Sequence, residues 1–172
     1  TLWLGALMAA TGSFQSPRMS TAVFELAATF MEAGARHQDL AVALFRTRSF
    51  KHLKLWGRLL ARIAHDPGSH LLWSLLPAPD FLKSDTNLTH LSIAALETLD
   101  HVSGFKLFLA GGEVSGDETR ILLAASAGIS LKEVLTLFPT YSIVVQPWIL
   151  RSAYQVIELS TPLSLGQTES LI

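Results

Sequence analysis

The sequence predicts an α/β protein: a helical first part, a connecting helix, then a small mixed sheet covered by helices. Three observations carry this. Apolar residues recur at three- and four-residue spacing through the first 65 positions, the mark of amphipathic helices. Later, short apolar or β-branched runs alternate with helical stretches, as in a sheet with helices packed on it. Between the two stands Asp66-Pro67-Gly68-Ser69, a cluster that ends a helix and marks the best boundary between modules.

Taken in order, residues 2–9 form an apolar run that fits the end of a buried helix or a core strand, which periodicity cannot separate. Thr11-Gly12-Ser13-Phe14 and the polar stretch to Ser20 read as a loop. Ser20 or Thr21 caps a helix that turns Val23, Phe24, Ala27, Ala28, Phe30 and Met31 inward and stops at Gly34. A short helix over 38–46 follows. Ser49 then opens a longer one, with Phe50, Leu53, Trp56, Leu60 and Ile63 on one face and Lys51, Lys54, Arg58 and Arg62 on another.

In the second half, residues 70–76 read as a strand and 86–101 as a helix with Leu91, Ala94, Ala95, Leu99 and Val102 inward. Residues 105–110 and 119–126 form two strands joined through a Gly-rich turn at 111–117. Ser130 begins a helix to Phe138, with Glu133 placed to complete a capping box. Residues 141–145 read as a strand, 148–159 as a final helix, and the rest as a loose tail.

Composition narrows the classes. The chain is 49% apolar and 16% charged, apolar for a water-exposed domain. It is therefore nearly all core, or it exposes surface that meets another segment. The net charge of −1 hides an asymmetry: residues 1–65 carry eight Lys/Arg against three Asp/Glu, the remainder five against eleven. The first part is the better place for an anionic partner, although the halves could equally attract each other. With no cysteine, disulfides and thiolate metal sites are excluded. The opening apolar run is too short for a membrane span, which needs about 20 residues, and lacks the basic start of a signal peptide. A cytoplasmic protein is expected, with no membrane partner. Thr1 in place of Met favours a piece of a longer chain.

Few residues invite chemistry. The stripe Lys51, Lys54, Arg58, Arg62 offers charge to a nucleotide or RNA phosphate. The plainer reading, which we prefer, is a solvated face or one turned to acidic residues of the second half. His37, His52, His65, His70, His90 and His101 are scattered without metal-ligand spacing. Gly111, Gly112 and Gly116 lie between strands and precede neither a helix nor a Lys-Ser/Thr pair, so they belong to a hairpin rather than a phosphate loop. Asp117 and Glu118 are turn carboxylates, and no base is placed by sequence to activate Ser13. Trp3, Trp56, Trp73 and Trp148 sit in apolar runs and are expected in the core.

A family resemblance rests on particular residues. Leu4-Gly5-Ala6-Leu7-Met8-Ala9-Ala10-Thr11-Gly12-Ser13-Phe14-Gln15 resembles the fourth signature of the DHH phosphoesterases, where a helix runs into an Asp-Thr-Gly-Ser/Gly-Phe loop. Glu32-Ala33-Gly34-Ala35, Leu44-Phe45-Arg46-Thr47-Arg48 and the helix through Leu53-Lys54-Leu55-Trp56-Gly57-Arg58-Leu59-Leu60 fit the same family. Ser126-Ala127-Gly128-Ile129-Ser130-Leu131 is similar to the Ser-x-Gly-Val-Asp-Val segment of its smaller DHHA1 domain. The likeness covers residues 2 to about 138. It implies residues 1–48 as the end of a DHH catalytic domain, 49–66 as the connecting helix, 67–160 as a DHHA1-like domain and 161–172 as a tail.

The resemblance also implies hydrolysis of phosphate esters by two Mn²⁺ or Mg²⁺ ions held by Asp and His, on short oligonucleotides, cyclic dinucleotides, adenosine 3′,5′-bisphosphate or polyphosphate. This chain departs from the pattern at three places. Ala10 stands where the fourth signature has its metal-binding Asp, ahead of Thr11 and Gly12, and a methyl group cannot ligate a hard cation. Ala125 matches the family's Arg. Pro139-Thr140-Tyr141-Ser142 stands where a Gly-Gly-Gly-His substrate loop is expected, and proline has no N–H to offer a phosphate. The expectation is therefore a degenerate family member or fragment without activity by itself. It needs no cofactor, contains no metal site, and binds nucleotide or RNA weakly at most. The alternative is an interaction or dimerisation module using an exposed apolar face, its partner a missing N-terminal half or a second copy.

Overall fold

The computed structural model describes residues 1–14, 19–45, 48–149 and 154–172, and the chain divides into two compact units, 1–49 and 50–172. The first unit is three helices: α1 (Leu2–Thr11), α2 (Thr21–Glu32) and α3 (His37–Phe45). The opening apolar run is thus helical. Leu4 and Met8, one turn apart, are buried with Ala27 of α2 as the centre of this unit. Gly5 permits a close approach, because a Cβ there would lie 3.1 Å from the Leu40 side chain of α3. Gly34 ends α2 as expected, in a left-handed conformation that glycine adopts without penalty.

The inward face of α2 is narrower than its apolar pattern suggests. Ala27 alone is fully buried, while Phe24 and Met31 are exposed. Ser20 stands at the N-cap of α2 without a side-chain capping bond. Trp3 also lies outside, 76% exposed, against the expectation of a core position. In the second unit Trp56 and Trp73 are part-buried and pack against the cores.

The second unit is a six-stranded mixed sheet between two layers of helices. Its elements are α4 (Phe50–Ala61), β1 (Ala64–Asp66), β2 (Leu71–Leu76), α5 (Ala78–Ser84), α6 (Leu88–His101), β3 (Leu107–Ser115), β4 (Glu118–Ala125), α7 (Leu131–Leu135), β5 (Ser142–Ile149), β6 (Gln155–Thr161) and α8 (Leu165–Glu169). The strand order is β1-β2-β3-β4-β6-β5; β2 and β3 run parallel and every other neighbouring pair is antiparallel. Alternation along the strands divides the side chains. Leu72, Leu76, Phe108, Leu122 and Val156 face α4, α5 and α6, and Leu75, Leu109, Ile121, Leu123 and Ile157 face α7 and α8.

Several expectations hold. β2, α6 and a β3–β4 hairpin appear as expected, and Leu91, Ala94, Ala95 and Leu99 of α6 are buried, but most of the turn expected over 111–117 is strand: β3 runs to Ser115, Glu118 opens β4, and only residues 116 and 117 turn the chain. Others are corrected. The helix expected over 148–159 is instead the end of β5 and the strand β6, residues 150–153 lying outside those described. β6 pairs along its whole length with β4, and its Val156 and Ile157 fill opposite cores. The loose tail is ordered: Ser164 and Gln167 form a capping box at α8, and Leu163, Leu165 and Leu171 pack against the sheet. The capping box expected at Ser130 is absent; α7 is a single turn without a side-chain cap. The helix α5 was not foreseen; Pro77 is its N-cap and the next proline lies inside its first turn.

Asp66-Pro67-Gly68-Ser69 does not separate modules but turns β1 into β2. The Asp66 carboxylate accepts from the Ser69 hydroxyl at 2.6 Å and from the N–H groups of Gly68 and Ser69 at 3.1 Å each. The Ser69 hydroxyl first, and those N–H groups next, hold this carboxyl below its ordinary range. No helix among the described residues is long and apolar enough to cross a membrane.

Candidate functional site

The loop expected to mark a metal centre follows α1. Ala10 is exposed, and Thr11 closes the helix by donating its hydroxyl to the Leu7 carbonyl at 2.7 Å while accepting from the Phe14 N–H at 3.1 Å. The Ser13 N–H donates to the Met8 carbonyl at 2.7 Å. Gly12, Ser13 and Phe14 all have left-handed backbones, with φ of 57°, 58° and 66°. For Ser13 and Phe14 that conformation is strained, the kind of strain that collects at functional loops. Phe14 stacks on Phe24 of α2 with ring centroids 5.8 Å apart. The turn is rigidly built, yet the position at its head offers only a methyl group. Among the described residues, no group of three or more His, Cys, Asp or Glu is placed to hold a metal ion.

The basic stripe lies on α4, with Arg62 just past its end, and its members have partners within the second unit. Arg58 Nη1 donates to Asp80 Oδ1 at 2.8 Å, and Arg62 Nε to Asp80 Oδ2 at 2.7 Å. Lys51 pairs with Asp85, whose carboxyl is held below its ordinary range first by the hydrogen bond from Lys51 and then by its charge. Lys54 sits 4.7 Å from the centroid of the Phe50 ring. The stripe is therefore one helix face turned to acidic residues of α5 and its C-cap. Asp80 is almost fully buried between its two arginines and at the first turn of α5, where a carboxylate is favoured by the helix dipole.

The apolar face of α4 is rotated from the expected one. Leu55, Leu59 and His52 are buried and Trp56 part-buried, whereas Phe50 is 72% exposed and Leu53 and Leu60 lie largely outside. His52 meets Glu97 of α6 at 2.7 Å, and Trp56 Nε1 donates to Thr98 at 3.0 Å. This polar seam between α4 and α6 was not read from the sequence; a histidine among leucines gives no sign of a partner 45 positions away.

The remaining positions singled out by the resemblance lie apart, with Ala125 at the end of the sheet where β4 finishes and Pro139 at the opposite end, where β5 begins. Ala125 closes β4 and is buried, Gly128 takes a left-handed conformation in the following turn, and Pro139 precedes β5. The structure does not bring this methyl group, glycine and proline together.

No protein-family model and no curated protein matches this sequence. Among solved structures, the chain is similar to the crystal structure of an exopolyphosphatase-related protein from Bacteroides fragilis, with a TM-score of 0.67 and 12% sequence identity. The match covers 96% of this chain and 45% of that one, so the chain spans less than half the length of its structural relative. At such identity the likeness is one of fold: a mixed α/β arrangement shared with an exopolyphosphatase-related protein.

Proposed function

We propose that the chain is a degenerate DHH/DHHA1-type phosphoesterase portion that hydrolyses nothing by itself and keeps, at most, weak affinity for nucleotide or RNA. The observation that carries the reading is Ala10 at the head of the Thr11-Gly12-Ser13-Phe14 turn. The turn is tight, but the alanine at its head cannot donate to a divalent cation, which requires oxygen or nitrogen atoms converging on one point. The fold likeness to an exopolyphosphatase-related protein supports the family. Ala125 and Pro139 support the loss of substrate contact. The four basic residues of α4 remain a candidate for weak phosphate attraction, reduced by their acidic neighbours.

The test is an assay of the purified chain with Mn²⁺ on adenosine 3′,5′-bisphosphate, short oligoribonucleotides and polyphosphate. No release of phosphate or nucleotide above blank is expected. Turnover that co-purifies with the chain and disappears with EDTA overturns the proposal.

A second reading is favoured by one observation. In the first unit Leu2 is 88% exposed, and Trp3, Phe24 and Val42 are also outside. Such a density of exposed apolar side chains suits an interaction or dimerisation surface. Light scattering decides it: a monodisperse dimer, lost on Trp3→Ser, supports this reading, and a monomer counts against it.

A further inference from the structure

A concave site in the second unit is separate from every residue considered so far. Its volume is about 440 Å³, within the range of small-molecule sites, and its walls are mainly apolar. Phe81 and Leu82 of α5, Leu88 of α6 and Val114 of β3 supply the apolar wall, and Glu113 and Arg120 the charge. Beneath these side chains lies Gly112, the cross-strand neighbour of Arg120. A Cβ on Gly112 would come within 2.8 Å of Phe81, Leu88 and Leu91, so only glycine lets these side chains close over the sheet here.

Arg120 is the unusual member. Its Nε is buried and has no hydrogen-bond partner, and no described carboxylate forms an ion pair with it. Buried donors in native proteins are almost always satisfied, and a guanidinium presents its donors as a planar fork suited to a carboxylate or phosphate. Glu113, whose Oε2 accepts from the Ala78 N–H at 2.8 Å at the start of α5, forms no ion pair with it. The pocket therefore combines an apolar wall with a guanidinium whose Nε has no hydrogen-bond partner among the described residues.

We propose that this pocket binds a small molecule consisting of an apolar body, of one or two rings, that bears a single anionic group held by Arg120. The body lies against Phe81, Leu82 and Leu88, and the acceptor oxygens complete the arginine's hydrogen bonding. The proposal does not depend on the phosphoesterase reading, since none of these residues belongs to the family positions.

The experiment is a titration of the full 172-residue chain with 2-naphthoate, 2-naphthyl phosphate and the neutral 2-naphthylmethanol, followed by amide chemical shifts. Shifts are expected in residues 78–89 and 113–120, with at least one anion bound about tenfold more tightly than the alcohol. The tighter of the two anions identifies the recognised group as carboxylate or phosphate. Arg120→Gln is expected to abolish the preference for charge. Leu82→Glu, at a rim position 80% exposed and so harmless to folding, is expected to weaken the anions more than the alcohol even if Arg120→Gln does not fold. Equal affinity for all three probes, shifts confined to other residues, or a preference that survives Arg120→Gln overturns the proposal.

Discussion

Asp80 shows how a single side chain decides what a basic stripe does. Its carboxylate is buried and takes one oxygen from each of Arg58 and Arg62, which are themselves partly exposed. The two sides of this interaction are therefore unequal. Removing the aspartate leaves two guanidinium groups that can turn to water, and Asp80→Ala is expected to cost about 2 kcal/mol. Removing both arginines strands a charge in the interior, and the Arg58→Ala/Arg62→Ala pair is expected to cost about 3–5 kcal/mol. Urea denaturation of the two variants checks the order, and an aspartate deletion more damaging than the double arginine deletion refutes the account. The stripe itself was legible, because basic residues at positions 51, 54, 58 and 62 repeat with the helix. That it faces acidic residues of the second half was one of the preferred readings, but which carboxylates was not legible, because they belong to a short helix and its C-cap that the sequence reading did not contain. That Ala10 brings only a methyl group to the turn, by contrast, needs no coordinates.

At the scale of elements, helix existence was easier to read than helix orientation. Around α4 the apolar residues form two overlapping stripes, 50/53/56/60/63 and 52/55/56/59/63, and both satisfy helical spacing. Packing against the sheet selects the second, where Ser74 of β2 donates to the Leu59 carbonyl at 2.8 Å and His52 finds Glu97. The choice is testable. Leu55→Ala, at a fully buried site, is expected to cost about 2–5 kcal/mol, and Leu53→Ala, half exposed, less than about 0.5 kcal/mol. Thermal melts of both variants measure the difference, and similar losses would restore the first stripe. The same limit explains β6. Val156-Ile157-Glu158-Leu159 fits a buried helix as well as a strand when read alone, and pairing with β4 decides between them. The β3–β4 hairpin was read as a hairpin but with its turn too long, because Gly111 and Gly112, read as turn residues, pair within β3.

For the whole molecule, the order of helices and strands was visible in the sequence apart from β1, α5, β6 and α8, but the sheet order was not, since β4 meets β6 from a distant part of the chain and no local pattern encodes such pairing. The two units differ in how much they bury. The first rests on Leu4, Met8 and Ala27, whereas the second fills two cores on opposite faces of one sheet. Small assemblies bury a smaller fraction of their surface and are correspondingly marginal. Exposed Leu2, Trp3 and Phe24 add little to the first unit's stability while they face water. Opening free energies should therefore be distributed unevenly along the chain. Hydrogen exchange on the intact protein is expected to label the amides of α1, α2 and α3 well before those of β3, β4 and β6. If the exposed side chains of the first unit are covered by a second copy, protection of α1 should rise with protein concentration while that of β4 stays constant. Protection of α1 equal to that of β4 at every concentration would mean that the three helices draw their stability from more than the small core they bury.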